Sequence, residues 1–109
     1  MTANGAGQQA LAVFDFGKTN AKLFVFDPDL RILGQERCLP VWREALLGDA
    51  PCKLLDSDAL WEWMNAALAR ALAQWPIGGV MVSTHGCAAA LLGGGALQSP
   101  ILDYESEPP

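Results

Sequence analysis

The stretch A-V-F-D-F-G-K-T-N-A-K-L-F-V-F-D, Ala12 to Asp27, sets two apolar runs around a short polar turn. It reads as a tight antiparallel hairpin. Leu11–Phe16 and Ala21–Asp27 are rich in Phe and Val, and Gly17-Lys18-Thr19-Asn20 has the composition of a turn. Asp15 is the residue out of place, because aspartate is depleted in strands and a buried, unpaired carboxylate costs on the order of several kcal/mol. By the two-residue period of a strand it faces opposite to Phe14 and Phe16. Folding alone supplies no reason for it, so the reason is sought in a ligand.

The neighbours of Asp15 suit that search. Gly17 lets the backbone approach a ligand with no Cβ in the way, and the N–H groups of the turn can converge on phosphate oxygens. Thr19 and Asn20 add side-chain donors. Lys22, on the return strand, is within reach of the same point, and Lys18 faces that point or solvent. An acid beside a glycine turn, a hydroxyl and a lysine make a coherent site for a magnesium-bound nucleotide. Asp15 would orient Mg²⁺ through its waters, and Lys22 would neutralise charge on a transferring phosphoryl group. The same residues also suit a plain hairpin in which Asp15 accepts turn N–H groups and the lysines are solvated, and spacing alone leaves both readings open.

Outward from the hairpin, Asp27-Pro28-Asp29 marks a second turn, and Leu30–Leu39 suggests a third antiparallel strand. Pro40 to Pro51 follows neither period and is expected to be loop or a short helical turn. From Asp58 to Trp75, residues Leu60, Trp61, Met64, Ala67, Leu68, Ala71, Leu72 and Trp75 recur at helical spacing, with Ser57 or Asp58 as N-cap and Pro76 as the stop. Trp61, Trp63 and Trp75 are expected to pack in the core or under a lid, whereas Trp42 stands in the unpatterned segment and is left open. Val80–Ser83 reads as a short strand running into the turn Thr84-His85-Gly86. Ala88–Leu92 and Ala96–Leu97 then flank Gly93-Gly94-Gly95 as a hairpin.

The order is a three-strand antiparallel meander, a helix, a further strand and a hairpin, which is a mixed α/β arrangement. A strand that follows the helix crossover belongs beside the first strand and parallel to it. That placement brings Asp15-Phe16-Gly17 and Ser83-Thr84-His85 to one sheet edge. The helix would cover one face of the sheet and leave the other, lined by residues such as Val13, Leu23 and Val25, uncovered. A lone histidine such as His85 is more often a hydrogen-bonded structural group than a ligand, and its place at the C-terminal end of a strand brings the two readings level.

Composition narrows the function classes. The 109 residues carry 7 basic and 12 acidic side chains, for a formal charge of -5, and no basic cluster, which argues against a nucleic-acid partner. Residues 1–10 read as a flexible lead-in with no targeting pattern, and nowhere do about 18 apolar residues run together, so a cytoplasmic protein without a membrane segment is expected. Cys38, Cys52 and Cys87 show no metal or disulfide spacing and read as reduced, mostly buried thiols.

D-F-G-K-T-N-A-K, Asp15 to Lys22, resembles the first phosphate motif of the sugar kinase, actin and heat-shock chaperone ATPase superfamily. Together with V-S-T-H-G-C-A-A-A-L-L and P-I-L-D-Y-E, it is similar to the N-terminal part of FGGY-type carbohydrate kinases of the rhamnulokinase and fuculokinase kind. The resemblance runs from about Leu11 to Glu105. It implies an RNase H-like half-core over residues 11–109, with ATP and Mg²⁺ as cofactors and a small sugar as substrate. Mg²⁺ would be associated with Asp15, phosphate with Gly17, Lys18, Thr19, Asn20 and Lys22, and sugar with Thr84, His85, Gly86, Asp103, Tyr104 and Glu105. Where relatives show Trp-x-Asp-x-Arg, this chain reads Asp103-Tyr104-Glu105-Ser106-Glu107 and lacks the arginine. Family members are roughly four times longer, on the two-domain scale such kinases need. The chain is therefore expected to be an N-terminal fragment, with the catalytic base beyond Pro109 and homodimerisation a property of the complete enzyme. A non-catalytic phosphate- or sugar-binding remnant, an assembly segment, or a ROK-type or acetate-type kinase is the alternative.

Overall fold

In the computed structural model, which describes residues 9–85, 92–97 and 101, the Ala12–Asp27 stretch forms the expected hairpin. Strand β1 (Ala10–Phe16) pairs antiparallel with β2 (Ala21–Phe26), and β2 with β3 (Ile32–Cys38). The turn between β2 and β3 is held by Asp27, whose Oδ1 accepts the N–H groups of Asp29 and Arg31, each at 2.9 Å. Leu30 within it takes a left-handed conformation, φ 65°. Next come β4 (Trp42–Leu47), β5 (Ala50–Leu55), helix α1 (Ser57–Gln74), β6 (Ile77–Thr84) and the short pair β7 (Leu92–Gly93) and β8 (Ala96–Leu97).

The main sheet has the order β3-β2-β1-β6, with β6 parallel to β1 as the crossover argument expects. Every cross-strand pair shares a face, so the register sorts the side chains. Ala12 opposes Val25 and Phe14 opposes Leu23 on one face, while Val13 opposes Phe24 and Asp15 opposes Lys22 on the other. The first face is the core, where Ala10, Ala12, Phe14, Leu23 and Val25 meet Ala67 and Ala71 of α1, with Trp63, Met64, Leu68 and Trp75 packed around them. Alanine on both partners lets helix and sheet approach closely. Phe14, fully buried, stands edge-on to Trp63 with ring centroids 5.9 Å apart, and burial of such a ring contributes roughly 1.5–3 kcal/mol. Trp75 seals the far end by lying on Gly34 of β3, where a Cβ would collide with the indole. Arg70 adds a 2.7 Å ion pair from the helix to Glu36, which holds the guanidinium pKa above its ordinary value.

Five expectations need correcting. Leu23 and Val25 lie under the helix at 1% exposure, because they sit opposite Phe14 and Ala12; only Val13 of the three named residues is on the other face. Pro40 to Pro51 is no loop: Trp42–Leu47 and Ala50–Leu55 pair as a hairpin around Gly48, whose φ of 66° needs no Cβ there. The N-cap of α1 is Asp56, with Oδ1 accepting from the Ala59 N–H at 3.0 Å, one residue before the candidates Ser57 and Asp58. That N–H, with the Arg43 guanidinium 2.7 Å from Oδ2, keeps the Asp56 carboxyl below the usual range. Trp61 and Leu72 point outward at 62% and 54% exposure, and Trp63 takes the core position instead. Finally, β1 starts at Ala10, inside the expected lead-in, and β6 extends beyond Val80–Ser83 at both ends.

Cys52 is buried and Cys38 half-buried, both as free thiols, with burial raising the Cys38 pKa. The β7–β8 hairpin turns at Gly94-Gly95, with Gly93 in β7 opposite Ala96 instead of in the turn; Cys87 and the expected strand residues 88–91 lie outside the described residues. No helix among the described residues is long and apolar enough to cross a membrane.

Candidate functional site

Asp15 and Lys22 stand directly across from one another on β1 and β2, one pair in from the turn, on the face opposite to α1. Side chains so paired have Cβ atoms about 4.5–5.5 Å apart. Asp15 is exposed and Lys22 half-exposed. The desolvation cost that made Asp15 anomalous therefore does not arise. An acid is tolerated at this strand end because the face it occupies is open, and the same openness leaves its oxygens available to a cation.

The turn itself is closed by the Gly17 N–H, which donates to the Asn20 carbonyl at 2.8 Å. A Cβ on Gly17 would come within 3.2 Å of that carbonyl, so the glycine serves the close approach of the two turn ends as well as any ligand. Asn20 Nδ2 donates to Thr19 Oγ1 at 3.3 Å. From outside the hairpin, the Trp42 indole Nε1 donates to the Lys18 carbonyl at 2.9 Å. This contact was not legible beforehand: Trp42 opens a strand that showed no period, and no local signal aims its ring at a turn 24 residues away.

The end of β6 arrives beside the turn. Ser83 pairs with Asp15 and Thr84 with Phe16, and the His85 N–H donates to the Phe16 carbonyl at 3.0 Å. The His85 ring reinforces this with Nδ1 at 3.2 Å from the same carbonyl, which can only accept, so Nδ1 carries the proton. Its Nε2 is shielded from solvent. Thr84 Oγ1 donates to the His85 carbonyl at 3.2 Å. The structure thus brings together Asp15, Gly17, Lys18, Thr19, Asn20, Lys22, Thr84 and His85 at one sheet edge. Gly86, Asp103, Tyr104 and Glu105 lie outside the described residues. The groove lined by Leu33, Gly34, Gln35, Gln74 and Trp75 is on the helix face, away from all of them.

A single exposed carboxylate beside a glycine turn, a hydroxyl and a lysine fits a hydrated Mg²⁺ held largely by a ligand's phosphates. An exposed acid, a half-exposed lysine across from it and the amides of a tight turn are the groups such a ligand would need.

A meander with a fourth strand added in parallel beside its first, covered by a crossover helix, is the actin and RNase H-like architecture that sugar kinases share. Among solved structures, the chain matches a carbohydrate kinase from Novosphingobium aromaticivorans over 94% of its own length and 21% of that chain, with 30% identity and a TM-score of 0.81. It also matches a ligand-bound xylulose kinase from Lactobacillus acidophilus (86% of this chain, 19% of that one, 12% identity, TM-score 0.71). A gluconate kinase from the same organism is similar as well (87% and 19%, 13% identity, TM-score 0.69). The resemblance to carbohydrate kinases read from the motifs therefore holds in three dimensions. The chain spans about a fifth of the length of these structures. No family model matches the sequence, and no curated protein does.

Proposed function

We propose that the chain carries the nucleotide-phosphate hairpin and part of the sugar site of an ATP-dependent carbohydrate kinase, that it holds MgADP by the diphosphate alone, and that the catalytic base and the adenosine-binding region are supplied by further polypeptide. The observation that supports this best is the meeting of two strand ends: Asp15, the Gly17–Asn20 turn and Lys22 from the hairpin, and Thr84 and His85 from β6.

In this reading the N–H groups of the turn and the Thr19 hydroxyl bind phosphate oxygens. Lys22 holds positive charge where negative charge gathers as the phosphoryl group leaves, and Asp15 orients the hydrated magnesium that accompanies the nucleotide. Magnesium supplies charge neutralisation when bound. The sugar is assigned in this reading to Thr84, to the His85 position at the end of β6, and to Gly86, Asp103, Tyr104 and Glu105. A cytoplasmic setting accords with such a substrate pair.

Calorimetric titration of the 109-residue chain with MgADP tests the phosphate half. Wild type should bind, and Lys22→Ala should bind at least tenfold more weakly, the scale of one lost charge-assisted contact. Sugar-dependent ADP formation should be absent from this chain alone and present in a polypeptide that adds the remaining domain. Equal MgADP affinity in wild type and Lys22→Ala would leave a scaffold or assembly role as the better reading.

A further inference from the structure

Resting on the phosphate reading of the Gly17–Asn20 turn, we infer that Trp42 is a positioning residue for that turn, fixing the Lys18–Thr19 peptide so that its N–H faces a bound phosphate. A trans peptide is planar, with its C=O and N–H on opposite edges. The Trp42 indole takes the C=O of Lys18 at 2.9 Å, so the Thr19 N–H is directed away from the β4–β5 hairpin. The closing bond from Gly17 to Asn20 secures only the base of the turn. The Trp42 bond adds a fixed point at the peptide between those two ends.

A half-buried indole N–H usually finds some carbonyl, and that alone would carry no functional weight. Two observations distinguish this one. The carbonyl belongs to the central peptide of the turn that holds the chemistry-bearing residues, and the backbone that carries the indole is anchored at Trp42 and at the residue before it. Trp42 pairs with Leu55 in the β4–β5 ladder, and the preceding Val41 carbonyl accepts the Asp56 N–H at 2.8 Å. Asp56 in turn caps α1 and binds Arg43. The helix N-terminus, the second hairpin and the turn thus form one connected frame, and Trp42 is the member that touches the turn. The cradle is ordered before the ligand arrives, which reduces the ordering cost of binding.

The test uses the 109-residue chain and MgADP. Trp42→Phe keeps an aromatic ring and deletes the donor; it should weaken MgADP about five- to tenfold, the scale of one neutral hydrogen bond. Trp75→Phe, altered in the core far from the turn, should lower the melting temperature with little change in affinity. In ¹⁵N spectra of wild type, the Trp42 indole signal, assigned by its proximity to Lys18 and Thr19 protons, should shift together with the Thr19 amide on adding MgADP, while the exposed Trp61 indole stays in place. This measurement decides the matter even if Trp42→Phe fails to fold. A Trp42→Phe chain that melts lower yet binds MgADP as wild type does, or a Trp42 indole unmoved while the Lys22 amide shifts, overturns the inference and leaves the phosphate reading intact. Absence of MgADP binding by folded wild type overturns both.

Discussion

The two faces of the central sheet are made from the same strands and meet opposite surroundings. On the helix face, Ala12, Phe14, Leu23 and Val25 are at or below 1% exposure. On the other, Asp15 is exposed, and Val13, Lys22, Phe24 and Phe26 keep partial access to solvent. One step along β1 moves from a residue that holds the fold to one that leaves it nearly untouched. The pleat alternates buried and open positions, so substitutions on adjacent residues should have unrelated consequences.

The largest contrast is between Phe14 and Val13. Phe14→Ala removes a buried ring wedged against Trp63 and should cost about 3–5 kcal/mol by denaturant unfolding, whereas Val13→Ala next to it should cost well under half of that. Similar losses at the two positions would mean that the open face is packed as tightly as the core. Gly34→Ala comes next: its new methyl would displace the Trp75 indole, for roughly 1–3 kcal/mol, with the loss reduced when Trp75→Leu is added to make room.

On the open face the signature reverses. Asp15→Asn and Lys22→Ala should change unfolding free energy by no more than about 0.5 kcal/mol, as exposed substitutions usually do, while Lys22→Ala impairs nucleotide binding. A large stability change at Asp15 with MgADP binding unaltered would return that pair to an ordinary structural role.

Acid sensitivity should belong to the frame beside the sheet. The folded state lowers the Asp56 pKa through the Ala59 N–H and then Arg43. Its stabilising contribution is therefore complete above the unfolded carboxyl's pKa and is lost as pH falls through the depressed folded value. Asp56→Asn keeps a capping oxygen but cannot titrate, so its melting temperature should fall less steeply than that of wild type below about pH 4. Parallel acid curves would assign the decline to other carboxylates. The smallest effect is expected at Leu30, exposed and left-handed at φ 65°: Leu30→Asn, better suited to that conformation, should stabilise by roughly 0.5 kcal/mol.

The first hairpin was legible because its strands and turn differ sharply in composition over a few residues. The placement of β6 followed from the handedness of crossovers, which operates whatever the side chains. The β4–β5 hairpin was hidden because Trp42-Arg43-Glu44-Ala45-Leu46-Leu47 is a partly exposed strand in a separate two-stranded sheet, with no single buried face to impose alternation. Trp61 misled for another reason: helical spacing admits it to a broad apolar stripe, whereas the buried Ala67 and Ala71 centre the packed face on the side of Trp63. For the site, Asp15, Gly17, Thr19 and Lys22 could be grouped from sequence since a hairpin makes them neighbours. The hydrogen bonds of Trp42 to Lys18 and of His85 to Phe16 join distant segments, and no local pattern encodes them.

The bond from His85 to Phe16 joins residues 69 apart, whereas Gly17 and Asn20 meet across a single turn. Contacts differing so much in chain separation do not form together, because closing the longer loop carries the larger entropic cost and delays the reward of pairing. During folding, the first hairpin can take shape as soon as it leaves the ribosome, while the β6 edge must await the helix and its crossover. Pulse-labelling hydrogen exchange should accordingly show amides of β1 and β2 protected ahead of those in β6. A newly made chain would acquire its first turn early and the neighbouring strand end late, and its exposure to misassembly would be greatest in that interval.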